Sequence, residues 1–112
     1  MSPDGRRLAA VVEGLDGMEL RIYDLPSGRY QTWIRRAILA NPVWSPTGDR
    51  LIFGDRDSLF LGAPDRSDPP EFLLHVPGGF EMSRWLLDGR VFGMRDNPKQ
   101  ALAFRIDFGQ RF

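Results

Sequence analysis

His75 is the only histidine and the chain has no cysteine, so any side-chain acid–base chemistry near neutral pH has to run through that one imidazole. Its natural partners are Asp55 and Asp57, two carboxylates separated by Arg56. A hydrolase or lyase using His75 with Asp55 or Asp57 is the enzyme that this chain could build. The ordinary alternative is a solvated turn with Arg56 as the local counter-charge. The same carboxylates could hold a hard cation, but the twelve-residue calcium-loop spacing is missing. There is no Gly-x-Ser-x-Gly elbow and no serine in a triad context. Gly78-Gly79 lacks the surroundings of a phosphate loop and reads as a hinge into a following strand. Without thiols or a histidine cluster, no metal and no cofactor is expected. Arg35-Arg36 is the remaining chemical feature: forked guanidinium groups receive carboxylates or an acidic peptide, when they are not simply solvated.

Composition narrows the partners. The 112 residues carry Lys+Arg 15 against Asp+Glu 15, and this neutral balance lacks the basic field that neutralises phosphates, so nucleic acid is excluded as the expected partner. No apolar run approaches the length of a membrane span and no basic-then-apolar leader opens the sequence, which leads to an expectation of a soluble chain, cytoplasmic by default, with the compartment itself unread. Gly 12 and Pro 9 interrupt the chain too often for long helices and suit many short strands.

Those strands are organised by a repeat. "SPDGRRLAAVV" from Ser2, "SPTGDRLIFGD" from Ser45 and "LLDGRVFGMRD" from Leu86 share a turn glycine, and Gly5, Gly48 and Gly89 are spaced 43 and 41 residues apart. Proline at the first central position presets φ, and glycine accepts positive φ, so each copy predicts a tight reversal that launches an apolar strand: Leu8–Val12, Leu51–Phe53 and Val91–Met94. Runs that are apolar at successive positions predict strands covered on both faces. A second beat follows in "MELRIYDLPSGRYQTWI" from Met18, in "SLFLGAPDRSDPPEFLLH" from Ser58 and in "QALAFRIDFGQRF" from Gln100. Trp44 and Trp85 precede the second and third turns and, with Trp33, read as packing residues. Gly17, beside the Asp16 turn, reads as an unconstrained surface glycine.

Trp-Ser-Pro-x-Gly with a following apolar strand, together with "IYDLPSG", resembles the WD40-like β-propeller repeat of the TolB type. The resemblance covers nearly the whole chain and implies an all-β fold of antiparallel propeller blades, about three per chain: residues 1–35, 36–76 and 77–112. Strand order then reads B, C, D, followed by A, B, C, D and by A, B, C. Strand parity puts the Ser-Pro-x-Gly turns on one face and the variable loops on the other, among them Asp55–Asp57, Arg35-Arg36, Asp96–Lys99 and His75–Phe80. The expected function is a non-catalytic module that recognises a protein or peptide across this loop face through Arg35, Arg36, Asp57, His75 and Phe80. A structural piece of a larger propeller without its own activity is the remaining alternative. Three blades cannot close a ring, and the runs Leu8–Val12 and Val91–Met94 predict an apolar face at each end, so a homodimer completing a six-bladed ring is expected.

Overall fold

The computed structural model describes residues 1–77, 80–96 and 99–105. Gly78-Gly79 lie outside the described residues, as does part of the Asp96–Lys99 loop.

The serine turns are locally determined. Gly5 N–H donates to the Ser2 carbonyl and Gly48 N–H to the Ser45 carbonyl, both at 2.9 Å, while Ser2 and Ser45 donate their own N–H groups to the carbonyls of Arg7 and Arg50. Each buried serine hydroxyl also accepts from the arginine N–H, at 3.0 Å in the first copy and 3.1 Å in the second. An aspartate completes both turns from a different position: the hydroxyls of Ser2 and Ser45 donate to Asp4 and Asp49 respectively. The third copy replaces serine by Leu86 yet keeps the reversal, with Gly89 N–H on the Leu86 carbonyl and Asp88 accepting from Arg90 N–H. Gly5, Gly48 and Gly89 all have positive φ, between 73° and 92°.

Gly48 is confined on two counts, its φ of +79° and the Pro3 ring of the neighbouring turn, which would lie 3.3 Å from an added Cβ. Gly48→Val is therefore expected to cost about 1–2 kcal/mol or more. Gly17 is not the unconstrained surface glycine that its surroundings in the sequence suggest, because its φ is +132° and an added Cβ would meet the Arg36 carbonyl oxygen at 2.9 Å. Gly28, at φ +75° with nothing within 4 Å, supplies the proper comparison, and thermal melts should rank Gly17→Ala as more destabilising than Gly28→Ala. Equal midpoints for those two variants would contradict the assigned clash.

Ten strands follow from these turns: β1 (Arg7–Gly14), β2 (Gly17–Asp24), β3 (Tyr30–Arg36), β4 (Ala40–Trp44), β5 (Leu51–Asp55), β6 (Ser58–Gly62), β7 (Glu71–His75), β8 (Phe80–Trp85), β9 (Arg90–Asp96) and β10 (Lys99–Arg105). The described residues are all-β, in three antiparallel sheets ordered β1-β2-β3, β4-β5-β6-β7 and β10-β9-β8. The expected launches after each turn fall in β1, β5 and β9. No helix among the described residues is long and apolar enough to cross a membrane.

Burial shows how the sheets stack. Leu51 and Phe53 of β5 join Leu20, Ile22 and Ile34 of the first sheet in one core, whereas Ile52 points the other way into a core with Met82, Trp85 and Val91 of the third. All three β5 residues are fully buried, so the central sheet is covered on both faces as its apolar run predicts. Among the described residues the outer sheets are covered on one face only. Val91 is fully buried toward the central sheet, and Phe92 and Met94 are 36% and 43% exposed on the other side of β9. Val91–Met94 is thus divided between a core, which takes Val91, and the exposed apolar face expected at this end, which carries Phe92 and Met94.

Aromatic residues set the spacing at the first core. Trp33 meets Phe53 edge-on with ring centroids 5.5 Å apart, and Phe60 stacks on Phe53 at 5.7 Å. Gly62 makes room for this arrangement, since a Cβ there would come within 2.6 Å of the Trp33 ring. At the turn end, Arg7 donates to the Gly48 carbonyl at 3.0 Å and lies over Trp44, tying the first sheet to the second.

The turn aspartates make the fold acid-sensitive. Asp49 is held below its ordinary 3.8, first by the Thr47 hydroxyl and then by Ser45, and Asp4 and Asp88 are lowered chiefly by the backbone N–H groups of Arg6 and Arg90. A carboxyl lowered in the folded state stabilises above its unfolded value and loses that contribution as pH falls through the folded one. Stability should accordingly decline below about pH 4. Melts taken from pH 5 down to about pH 2 should show a shallower decline for Asp49→Asn, and an unchanged slope would contradict the assignment.

Candidate functional site

Sheet parity brings most of the sequence-identified residues to one end of the stack, but on strand ends rather than in free loops. Arg35 and Arg36 are the last residues of β3, Asp55 ends β5 and His75 ends β7. Asp57 lies in the β5–β6 turn, where Arg56 adopts φ +58° and the Asp57 carbonyl accepts the Val76 N–H at 2.6 Å. The backbone of Phe80 opens β8 opposite Arg95, and its side chain lies outside the described groups.

The counter-charge of Asp55 comes from another sheet. Arg36 donates to Asp55 at 2.9 Å and its guanidinium lies over the Phe60 ring at 5.3 Å, so this arginine bridges the first and second sheets. Arg56 is not the partner expected from adjacency. The pair is part-exposed, and its worth to stability is about 0–1 kcal/mol.

His75 and Asp55 do share a row across the second sheet, because Asp55 pairs with Ser58 and Ser58 with His75. Two strand spacings separate the outer members, about 9–10 Å. Serine stands between the acid and the imidazole, an order unlike that of a relay in which histidine must touch both. Among the described residues His75 forms no hydrogen bond or ion pair with Asp55 or Asp57. No three His, Cys, Asp or Glu side chains come together to hold a metal ion among them either.

The developed feature of this end is a depression of about 420 Å³ beside the β1–β2 hairpin, lined by Leu15, Asp16, Met18, Glu19, Arg35 and Arg36. Glu19 was not legible as a site residue, although the alternation Met18, Leu20, Ile22 puts it on the opposite face of β2 from the core. It accepts from Arg21 at 3.0 Å and from Thr32 at 3.1 Å, and lies 3.5 Å from Arg35. Arg21, first, and then Thr32 hold its carboxyl below the ordinary 4.5. With Glu19 so engaged, Arg35 keeps a guanidinium that is 74% exposed and lightly held. Arg36 is anchored by Asp55 and Phe60, and presents the rest of its fork to the same depression. The arrangement suits a carboxylate next to an apolar group, the latter meeting Leu15 and Met18.

The chain matches no family model, no curated protein and no solved structure.

Proposed function

We propose that the three sheets are successive blades of a WD40-like β-propeller of the TolB type, and that the chain is a non-catalytic module recognising a protein or peptide through the end that carries Arg35, Arg36, Asp57, His75 and Phe80. The observation that carries the binding role is the paired arginine rim, one guanidinium pre-set by Asp55 and Phe60 and the other, largely exposed, held only by Glu19 at 3.5 Å. A carboxylate-bearing peptide is the partner that it favours. Immobilised protein should retain a glutamate-rich peptide, and Arg35→Ala should weaken retention about five- to tenfold, the scale of a charge-assisted hydrogen bond at an exposed site. Equal retention by Arg35→Ala would contradict the rim as the site, and substrate turnover abolished by His75→Ala would replace the binding role with a hydrolase or lyase.

Assembly is the second part of the proposal: two copies form a homodimer that closes a six-bladed ring. The support is directional. Along each inner run the residue after the turn arginine faces the preceding sheet and the next one faces the following sheet, as Leu51 and Ile52 do. Leu8 in the first sheet and Phe92 in the third then face outward, one backward and one forward. The two faces are also matched in size. Small Ala10 with Leu8 and Val12 on β1 can receive Phe92 and Met94, and exposed Ala101 and Ala103 on β10 leave room for Arg21 and Tyr23 of β2. Head-to-tail contacts of this kind form a closed ring when the rotation fits.

A further inference from the structure

We infer that Asp16-Gly17, in the turn between β1 and β2, is a self-modification site: of the three Asp-Gly steps in the chain, it is the one at which the folded protein converts aspartate to isoaspartate. This inference concerns covalent chemistry of the turn and does not rest on the proposed peptide binding.

The reaction is an internal condensation followed by hydrolysis. The Gly17 nitrogen attacks Cγ of the Asp16 carboxyl group, a C–N bond forms, and the carboxyl hydroxyl leaves as water with the proton of the attacked amide. The five-membered imide takes water back at either of its carbonyls. Opening at Cγ restores aspartate, whereas opening at the Asp16 main-chain carbonyl leaves the chain running through Cγ, with one extra methylene in the backbone and a free α-carboxylate. Water is the sole co-reactant, lost once and regained once. Glycine favours the attack because no Cβ hinders its nitrogen, so Asp4-Gly5, Asp16-Gly17 and Asp88-Gly89 all have the required neighbour.

The carboxylates separate the three. Asp4 accepts from the Arg6 N–H at 3.0 Å and from the Ser2 hydroxyl at 2.7 Å. Asp88 accepts from the Arg90 N–H at 3.1 Å and from the Arg90 guanidinium at 2.7 Å. Each is thus engaged with the amide two residues on, rather than poised over the glycine nitrogen that would attack it. The backbone N–H groups of Arg6 and Arg90, foremost among these bonds, also hold both carboxyls below the ordinary 3.8, which keeps ionised the oxygen that must leave as water. Asp16 has no such clamp. It is exposed, and among the described residues its carboxylate has no hydrogen bond or ion pair.

The backbone of this turn is permissive as well. Leu15 and Asp16 form a two-residue reversal between Gly14 and Gly17, and Leu15 stands fully exposed. Glycine on both sides lets Asp16 turn about ψ until Cγ meets the Gly17 nitrogen. The product has less room, since a Cβ added at Gly17 would already meet the Arg36 carbonyl oxygen at 2.9 Å. Conversion therefore reshapes the wall that Asp16 and Arg36 share in the depression beside this hairpin.

Trypsin separates the three steps for measurement, because cleavage after Arg6, Arg21, Arg84 and Arg90 leaves each in its own peptide. The full chain is aged at neutral pH and body temperature in heavy-oxygen water, which labels every imide that reopens, and electron-transfer fragmentation then identifies isoaspartate. Folded protein should accumulate it at Asp16 about tenfold or more faster than at Asp4 and Asp88, and in guanidinium chloride, which releases the clamps, the three rates should converge to within about threefold. Asp16→Glu should abolish the signal from this turn, because the larger ring closes far more slowly, and leave Asp4 and Asp88 as they were. Equal accumulation at the three sites in the folded chain, or an excess at Asp16 that persists undiminished in denaturant and so belongs to its sequence neighbours alone, would each overturn the inference.

Discussion

Replacing Phe53 by alanine is expected to lower the free energy of unfolding by about 3–5 kcal/mol, which is comparable with the whole stability margin of a small domain. Phe53 has no exposed surface and sits where two sheets meet, edge-on to Trp33 and stacked with Phe60. Truncation removes the aromatic partner from both neighbours at once. The cavity cannot close easily, because Trp33 is seated against Gly62 and Leu20 and Leu51 are already packed in the same core. Phe72 provides the contrast: it lies on β7 in edge contact with Phe60 but is 56% exposed, so Phe72→Ala should cost far less. Urea unfolding of the two variants checks this, and similar midpoints would contradict the stacked arrangement.

The second large effect separates two adjacent residues. Val91→Asp should abolish cooperative unfolding, since a carboxylate at that position enters the core of Ile52, Leu61 and Trp85 without a partner. Phe92→Asp should keep its strand content, because Phe92 points from β9 toward solvent. In the proposed ring, however, this side chain would meet Leu8 and Val12 of the second copy, so the same substitution should halve the native mass. Far-UV circular dichroism with light scattering distinguishes the two outcomes. A folded Val91→Asp would contradict the two-core arrangement, and a Phe92→Asp of unaltered mass would contradict the proposed contact.

These residues also show what the sequence could carry. The turns were legible because their chemistry is local: Ser2, Pro3, Asp4 and Gly5 satisfy one another within a few residues, as do Ser45 to Asp49. The strands after them were legible from their apolar runs. Which of Val91 and Phe92 is buried was not, for both are apolar and the answer depends on how many sheets cover β9. Asp55 was assigned to neighbouring Arg56 for a similar reason, while its actual partner, Arg36, arrives through the stacking of one sheet on the next. Gly17 appeared unconstrained since nothing nearby in the sequence places the Arg36 carbonyl against it. For the candidate site, residue types and the shared end were readable, and the depression beside Glu19 emerged only when β2 and β3 paired.

Native mass tests the central claim most directly, that the two outer sheet faces are built for one another. Size exclusion coupled to light scattering should give about twice 12.8 kDa at low micromolar concentration, falling to a single chain for Phe92→Asp. A well-folded single chain of 12.8 kDa under those conditions would contradict ring closure by two copies.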